Sequence, residues 1–167
     1  MPCPNFRSWL QLMSLESVRA FFARNAPDID VLESPLSSAT VALAAEAYGV
    51  EPGRIAKTLS LRVGERVLLI VTSGTSRMDN KKLKARFGGK PKMLSAEEVA
   101  EITGHEVGGV CPFGLKSPLP VYCDVSLKAF DEVVPAAGST HSAVRIAPSR
   151  MAELTGAEWA DVCETPR

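Results

Sequence analysis

Ile55-Ala56-Lys57-Thr58-Leu59-Ser60-Leu61-Arg62-Val63, then Gly64-Glu65, then Arg66-Val67-Leu68-Leu69-Ile70-Val71-Thr72, is the stretch whose reading decides the fold. In its first part Ile55, Lys57, Leu59, Leu61 and Val63 alternate with Ala56, Thr58, Ser60 and Arg62, the period of a half-buried strand. The unbroken apolar run Val67–Val71 predicts a second, central strand covered on both faces. Gly64-Glu65 is short enough to join them as a hairpin. A sheet with a buried central strand therefore forms the middle of the domain.

Helix signals surround this hairpin. Before it, Ser14 predicts the cap of a helix with Leu15, Val18, Phe21 and Phe22 on its apolar face, stopped near Asn25-Ala26-Pro27. An extended stretch over 29–33 follows. Ser38 or Thr40 then caps an alanine-rich helix that Gly49 closes. After the hairpin, Asp79 starts a helix ending at Gly88-Gly89, and Ser95 with Glu98 forms a capping box for another ending at Gly104. Residues 121–124, 132–134 and 141–147 have strand character, and Pro148 opens a last helix ending at Gly156. The interspersed elements and short strand links predict an α/β, mixed α+β domain: a mixed, partly closed sheet or barrel with helices packed outside.

With 167 residues and 46% hydrophobic content the chain can bury one sizeable core, and it contains no internal repeat. Residues 1–12, with Pro2, Pro4 and Trp9 but no periodicity, read as an N-terminal extension to a single domain over 13–167. Nineteen basic and nineteen acidic residues cancel, which excludes a global field for nucleic acid and leaves only a local patch. Cysteines at 3, 111, 123 and 163 form no CxxC pair, and His105 and His141 are the only histidines, so no metal site is expected. Without a signal peptide or a membrane-length apolar run, the expectation is a reduced, cytoplasmic protein with no membrane partner.

Three features could carry chemistry. Lys57 shares its strand face with Ile55, Leu59 and Leu61, so its ammonium either snorkels to an edge or lines a pocket for a polar ligand. The loop Gly108-Gly109-Val110-Cys111-Pro112-Phe113-Gly114 can bring bare backbone donors against a ligand, or it is an ordinary connection. The cluster Arg77, Lys81, Lys82, Lys84, Arg86, Lys90 and Lys92, interrupted by the single acid Asp79, suits phosphates or is a solvated helix face. Cys111 would be a nucleophile only if His105 or His141 stood beside it; a buried, inert cysteine is the commoner outcome, and neither histidine sits in a recognisable catalytic motif.

Ile55-Ala56-Lys57-Thr58-Leu59, the loop 108–114 and Gly138-Ser139-Thr140-His141-Ser142-Ala143-Val144-Arg145-Ile146 together resemble, in order and spacing, the YbaK/EbsC branch of the bacterial prolyl-tRNA synthetase editing-domain superfamily. The resemblance spans about Ser14 to Gly156. It implies a deacylase that hydrolyses the ester of a small mischarged amino acid on tRNA, without metal, cofactor or covalent intermediate. It implies catalytic roles for Lys57, Gly108, Gly109, Cys111 and Pro112. Substrate contacts are implied for Thr40, Val110, Phe113, Gly114, Gly138, Ser139 and His141, and tRNA contacts for Arg77, Lys81, Lys82, Lys84 and Arg86. Mischarged tRNA is the implied partner, with an aminoacyl-tRNA synthetase as a second. Cys111 and Ala136-Ala137-Gly138 depart from the family pattern, which leaves cysteine, proline, alanine, serine and threonine esters open. The rival readings are a non-catalytic tRNA- or synthetase-binding module and a Cys111-dependent hydrolase.

Overall fold

A computed structural model describes residues 6–165 of the chain, with side chains from residue 9 onward. The hairpin forms as its sequence dictates: β2 (Ile55–Val63) pairs antiparallel with β3 (Arg66–Ser73) in continuous register from Ala56↔Ser73 to Val63↔Arg66. Ahead of it lie α1 (Phe6–Asn25), β1 (Leu32–Glu33) and α2 (Val41–Tyr48). Behind it follow α3 (Asn80–Phe87), β4 (Lys92–Met93), α4 (Ala96–Thr103), β5 (Val121–Asp124), β6 (Val134–Pro135), β7 (Ser142–Ala143), α5 (Pro148–Thr155) and β8 (Glu158–Ala160).

The main sheet runs β4-β2-β3-β5-β8, with β6 also pairing β2. β3–β5, β5–β8 and β2–β6 are parallel, whereas β2–β3 and β2–β4 are antiparallel. The mixed sheet stands, but it is open rather than partly closed, since β4 and β8 end it without meeting. β1 and β7 form a separate two-stranded ladder.

Both faces of the sheet are covered. Ala56, Leu69 and Val71 face Val18 and Phe22 of α1 together with Phe113, Leu127 and Met151. Leu61, Val63, Leu68 and Ile70 face Leu83 and Phe87 of α3. β2 is therefore buried on both sides at Ala56, Ser60 and Leu61, where the alternation predicts a half-buried strand. Small side chains on its second face admit a layer the polar pattern hides. Ala44 and Ala45 of α2 pack with Ile55, Val134 and Ala143 at the strand's start.

Local chemistry explains the helix ends. Thr40 accepts from Leu43 N, Asp79 from Lys81 N and Lys82 N, and Ser95 with Glu98 makes a reciprocal capping box. The exception is Ser14, which does not cap α1: the helix already runs from Phe6, and Ser14 is buried in mid-helix with its hydroxyl bonded to His105 Nδ1. Residues 6–12 of the expected extension are thus helical, and Gln11 Nε2 donates to Glu106 Oε2 at 2.8 Å. Residues 1–5 lie outside the described residues. No helix among the described residues is long and apolar enough to cross a membrane.

Candidate active site

A cavity of about 540 Å³ opens between β2, the N-terminal end of α2 and the loop that follows α4. Lys57 to Ser60 line one wall, Gly108 and Val110 another, and Thr40 and Val41 a third. Apolar Ala44, Val134 and Ala143 line it further. Among the described residues Lys57 is the only charged one in the lining, which holds no carboxylate, imidazole or thiol.

Lys57 resolves the snorkel-or-pocket alternative by doing some of both. Its stem lines the cavity, and its Nζ reaches the turn after β3, donating to Ser76 O at 2.6 Å and lying 3.5 Å from Gly74 O. Burial holds this ammonium below the usual lysine range, Cys163 pulls the other way, and the neighbouring Arg77 charge adds to the depression. A lysine so placed has its charge partly desolvated and meets only carbonyl dipoles, which leaves it able to attract an anionic group.

The Gly-rich loop is built by close crossing of two backbones. A Cβ on Gly109 would stand 2.7 Å from Ser139 N and 2.8 Å from Gly138 C, so only glycine allows the approach that lets Gly138 N donate to Gly109 O at 3.0 Å. Gly109 N is already bonded to Glu106 O at 2.9 Å and is not a free donor, contrary to the expectation of a bare backbone there. Gly108, at φ 97°, is the loop glycine on the cavity wall.

Behind that wall the loop is anchored in the core. Cys111, Pro112 and Phe113 are buried, and the Phe113 ring lies 4.7 Å from Phe22 and 5.6 Å from Phe21 by centroid. Gly114 sits against α1, where Ser17 Oγ donates to its carbonyl at 3.0 Å. Gly138, at φ 92°, packs on Ser14, and Ser139 Oγ is 2.6 Å from Ser142 Oγ. His141 is exposed, bonded to Thr140 Oγ1, and absent from the lining. Of the expected residues, then, Lys57, Gly108, Val110 and Thr40 meet at the cavity. Gly109, Cys111, Pro112, Phe113, Gly114, Gly138 and Ser139 shape the wall from behind, and His141 stands apart.

Cys111 does have a histidine beside it: Sγ lies 3.7 Å from His105 Nε2 and 3.6 Å from Phe113 O. The pair is sealed, however, with both residues fully buried, and burial pushes the thiol up to about 12. A thiol of that kind supplies no thiolate near neutrality. His105 instead ties α1 to the loop, from Ser14 on one ring nitrogen to Phe113 O at 2.7 Å on the other.

The basic cluster divides in two. Lys82 bonds Asp161 at 2.9 Å and Cys163 O at 2.8 Å, while Arg86 bonds Glu158 at 3.0 Å and lies over Tyr122, so these two face the protein's own acids and ring. Arg77, Lys81, Lys84, Lys90 and Lys92 are exposed, as is Arg86 itself, so the division is by ion pairing and not by exposure. Two further lining residues, Tyr48 and Thr58, have no signature in the sequence; the Thr58 hydroxyl is buried without a hydrogen-bond partner among the described residues, and the Tyr48 hydroxyl lies near Ser38. Burial pushes the Tyr48 phenol up. Among the described residues no group of three His, Cys, Asp or Glu could hold a metal.

Residues 37–154 match the family described as the aminoacyl-tRNA editing domain. The chain is similar to YwhH of Bacillus subtilis, a protein described as uncharacterized, with 51% identity over 91% of this chain and 98% of that protein. It is similar to EbsC of Enterococcus faecalis, a proposed Cys-tRNA(Pro)/Cys-tRNA(Cys) deacylase, with 32% identity over 78% of this chain and 79% of that one. A proline–tRNA ligase of Bacillus licheniformis matches at 31% identity over 60% of this chain but only 18% of the ligase. Among solved structures, one described as a proposed trans-editing enzyme for prolyl-tRNA synthetase superposes with a TM-score of 0.85 at 35% identity, covering 91% of this chain and 98% of that one.

Proposed function

The chain belongs to the aminoacyl-tRNA editing-domain family, and from that premise we propose that it is a trans-editing deacylase that hydrolyses the ester of a small amino acid mischarged on tRNA. The observation that carries the reading is the cavity itself: one partly desolvated lysine and one glycine-bounded backbone wall enclose a small, mostly apolar space. Its volume, about 540 Å³, lies in the range of small-molecule sites and has room for an aminoacyl ester together with the terminal ribose. Similarity to EbsC, a proposed free tRNA deacylase, and to a proposed trans-editing enzyme for prolyl-tRNA synthetase supports action in trans.

Water adds to the ester carbonyl, the C–O bond to the terminal ribose breaks, and the free amino acid leaves with the ribose hydroxyl restored. No side chain lining the cavity is a plausible general base, so the proton passes through the substrate's neighbouring ribose hydroxyl, and the protein contributes position and dipoles. Lys57, with Arg77 beside it, meets the phosphate of the terminal nucleotide. The need for such a site follows from pocket limits: one methylene is worth only about 1–3 kcal/mol to a synthetase. Cysteine, proline, alanine, serine and threonine esters are the candidate substrates. A synthetase that delivers the mischarged tRNA is the candidate partner.

The test is release of labelled amino acid from a panel of mischarged tRNAs by the wild-type protein and by Lys57→Ala. Hydrolysis of one or a few small esters, lost in the variant, is expected. A panel left intact while tRNA still binds would replace the enzyme with a binding module of the same fold.

A further inference from the structure

The β2 edge that faces the cavity has a break in its pairing. β6 pairs with Ile55 and Ala56, β4 pairs with Leu61 and Arg62, and among the described residues no strand pairs with 57–59 on that side. The direction of the backbone in the break follows from its neighbours. Ser60 O accepts from Leu94 N at 3.1 Å, so Ser60 turns its polar groups away from β3. Leu69, opposite Ser60, turns its own N–H the other way, to Pro120 O at 2.9 Å. Strand residues two apart share an edge, so Thr58 also points its N–H and C=O away from β3, into the break. Thr58 lines the cavity.

We propose that this open edge at Thr58 is the reader of the α-amino-acid part of the ester, with the Thr58 carbonyl accepting from the substrate's α-ammonium and the Thr58 N–H donating to its carbonyl oxygen. The inference rests on the deacylase reading and adds to it a recognition element that does not depend on the side chain being edited. Two observations carry it. The α-ammonium is a cation entering a cavity whose lining, among the described residues, holds no carboxylate, so it needs a neutral acceptor, and the carbonyl dipole of an unpaired strand edge is a stronger one than the lining hydroxyls. A strand edge also offers an acceptor and a donor from one residue, the pair that an α-amino acyl group presents in reverse. Gly108, on a different wall, then approaches the ester from another side.

The experiment uses the full chain with non-hydrolysable 3′-aminoacylamino-3′-deoxyadenosines carrying alanyl or seryl groups, each paired with its α-hydroxyacyl counterpart. Affinity is measured by calorimetry, and backbone ¹⁵N and ¹³C′ shifts are followed at Thr58. Loss of a charge-assisted hydrogen bond should weaken binding of the hydroxyacyl analogue by about 10-fold or more. The Thr58 amide and carbonyl signals should shift with the aminoacyl analogue. Equal affinity within a pair, a silent Thr58, or no binding of either analogue overturns the proposal. Turnover of the matched esters is assayed separately: amine-dependent binding without hydrolysis removes the deacylase reading and leaves the strand-edge recognition standing, and hydrolysis with equal affinities does the reverse.

Discussion

Gly109→Ala perturbs the crossing of the two loops with the smallest possible side chain. Its Cβ would stand 2.7 Å from Ser139 N and 2.8 Å from both Gly138 C and Ser139 Cα, against an ordinary contact of 3.4 Å or more. All three neighbours are backbone, so relief requires one loop to move by about 0.7 Å. That movement strains the Gly138 N to Gly109 O hydrogen bond, worth ~1 kcal/mol, on top of an overpacking cost of about 1–3 kcal/mol. For a domain of this size a total of about 2–4 kcal/mol lowers Tm by roughly 5–12 °C. Gly108, the next residue, moves with the loop on the cavity wall, and a misplacement of this order costs about 10- to 100-fold in rate. Gly64→Ala is the control. It adds left-handed strain at φ 62° in open space and should cost only about 1–2 kcal/mol with activity kept. Differential scanning calorimetry with single-turnover deacylation of matched samples reads both effects. A Gly109→Ala protein that melts within 2 °C of wild type, or one that melts early yet deacylates normally per folded molecule, would refute the reasoning.

Three further outcomes follow from the same geometry. Cys111→Ser should retain deacylation within about 3-fold, and wild type should resist iodoacetamide, because the thiol is fully buried and pushed up to about 12; abolished activity in either experiment would restore the thiol-dependent reading. His105 is held neutral by burial, below its ordinary 6.5, with its bond to Phe113 O opposing the shift. Its stabilising contribution is therefore complete above pH 6.5 and is lost as the pH falls toward the folded value, so melting temperature should drop between pH 7 and 5, and His105→Gln should flatten that drop; a variant with the wild-type slope would exclude His105 as the cause. If phosphates lie on the half of the basic face that makes no ion pair among the described residues, replacing Arg77, Lys81 and Lys84 together should reduce the slope of log affinity for tRNA against log salt by about 2–3, whereas replacing the internally paired Lys82 and Arg86 should change it by less than about 1; equal changes from the two sets would show that the division is irrelevant to binding.

Elements with local signatures were legible in the sequence, and those set by distant partners were not. The Ile55–Val63 alternation and the Val67–Val71 run produced β2 and β3, and Thr40, Asp79, Ser95 and Pro148 marked their helices, because caps and periodicity act within a few residues. β4, two exposed residues long, and β8, three residues long, are too short to show a period. Ser14 misled for a specific reason: a serine at an apparent start is satisfied 91 residues away by His105, a contact no local rule contains. In the site, Lys57 and the glycines stood out because they violate the patterns around them. Cys111 is the buried, inert cysteine that is the commoner outcome for a lone thiol, whereas nothing marked Tyr48 and Thr58 as cavity residues, since a residue's place in a cavity depends on where other strands stop.

Where those strands stop is itself written in the chain. Ser95 begins the capping box of α4 directly after Leu94, so the segment that pairs with Ser60 is committed to a helix before it can reach Thr58. On the other side Pro135 brings no N–H to the ladder, and the chain beyond it turns to pair Ala136 with Ala143. An exposed edge of this kind invites pairing with other chains, and the usual remedies are to cover it or to charge it. Here the break is only three residues wide and recessed between two paired ends, which denies it to a full strand but leaves room for a ligand with one acceptor and one donor. The residues that terminate β4 and β6 thus forgo ladder hydrogen bonds that a longer strand would have made. What the fold gains in return is an unpaired backbone donor and acceptor at the wall of a cavity that holds no carboxylate among its lining residues, where a small substrate can use them.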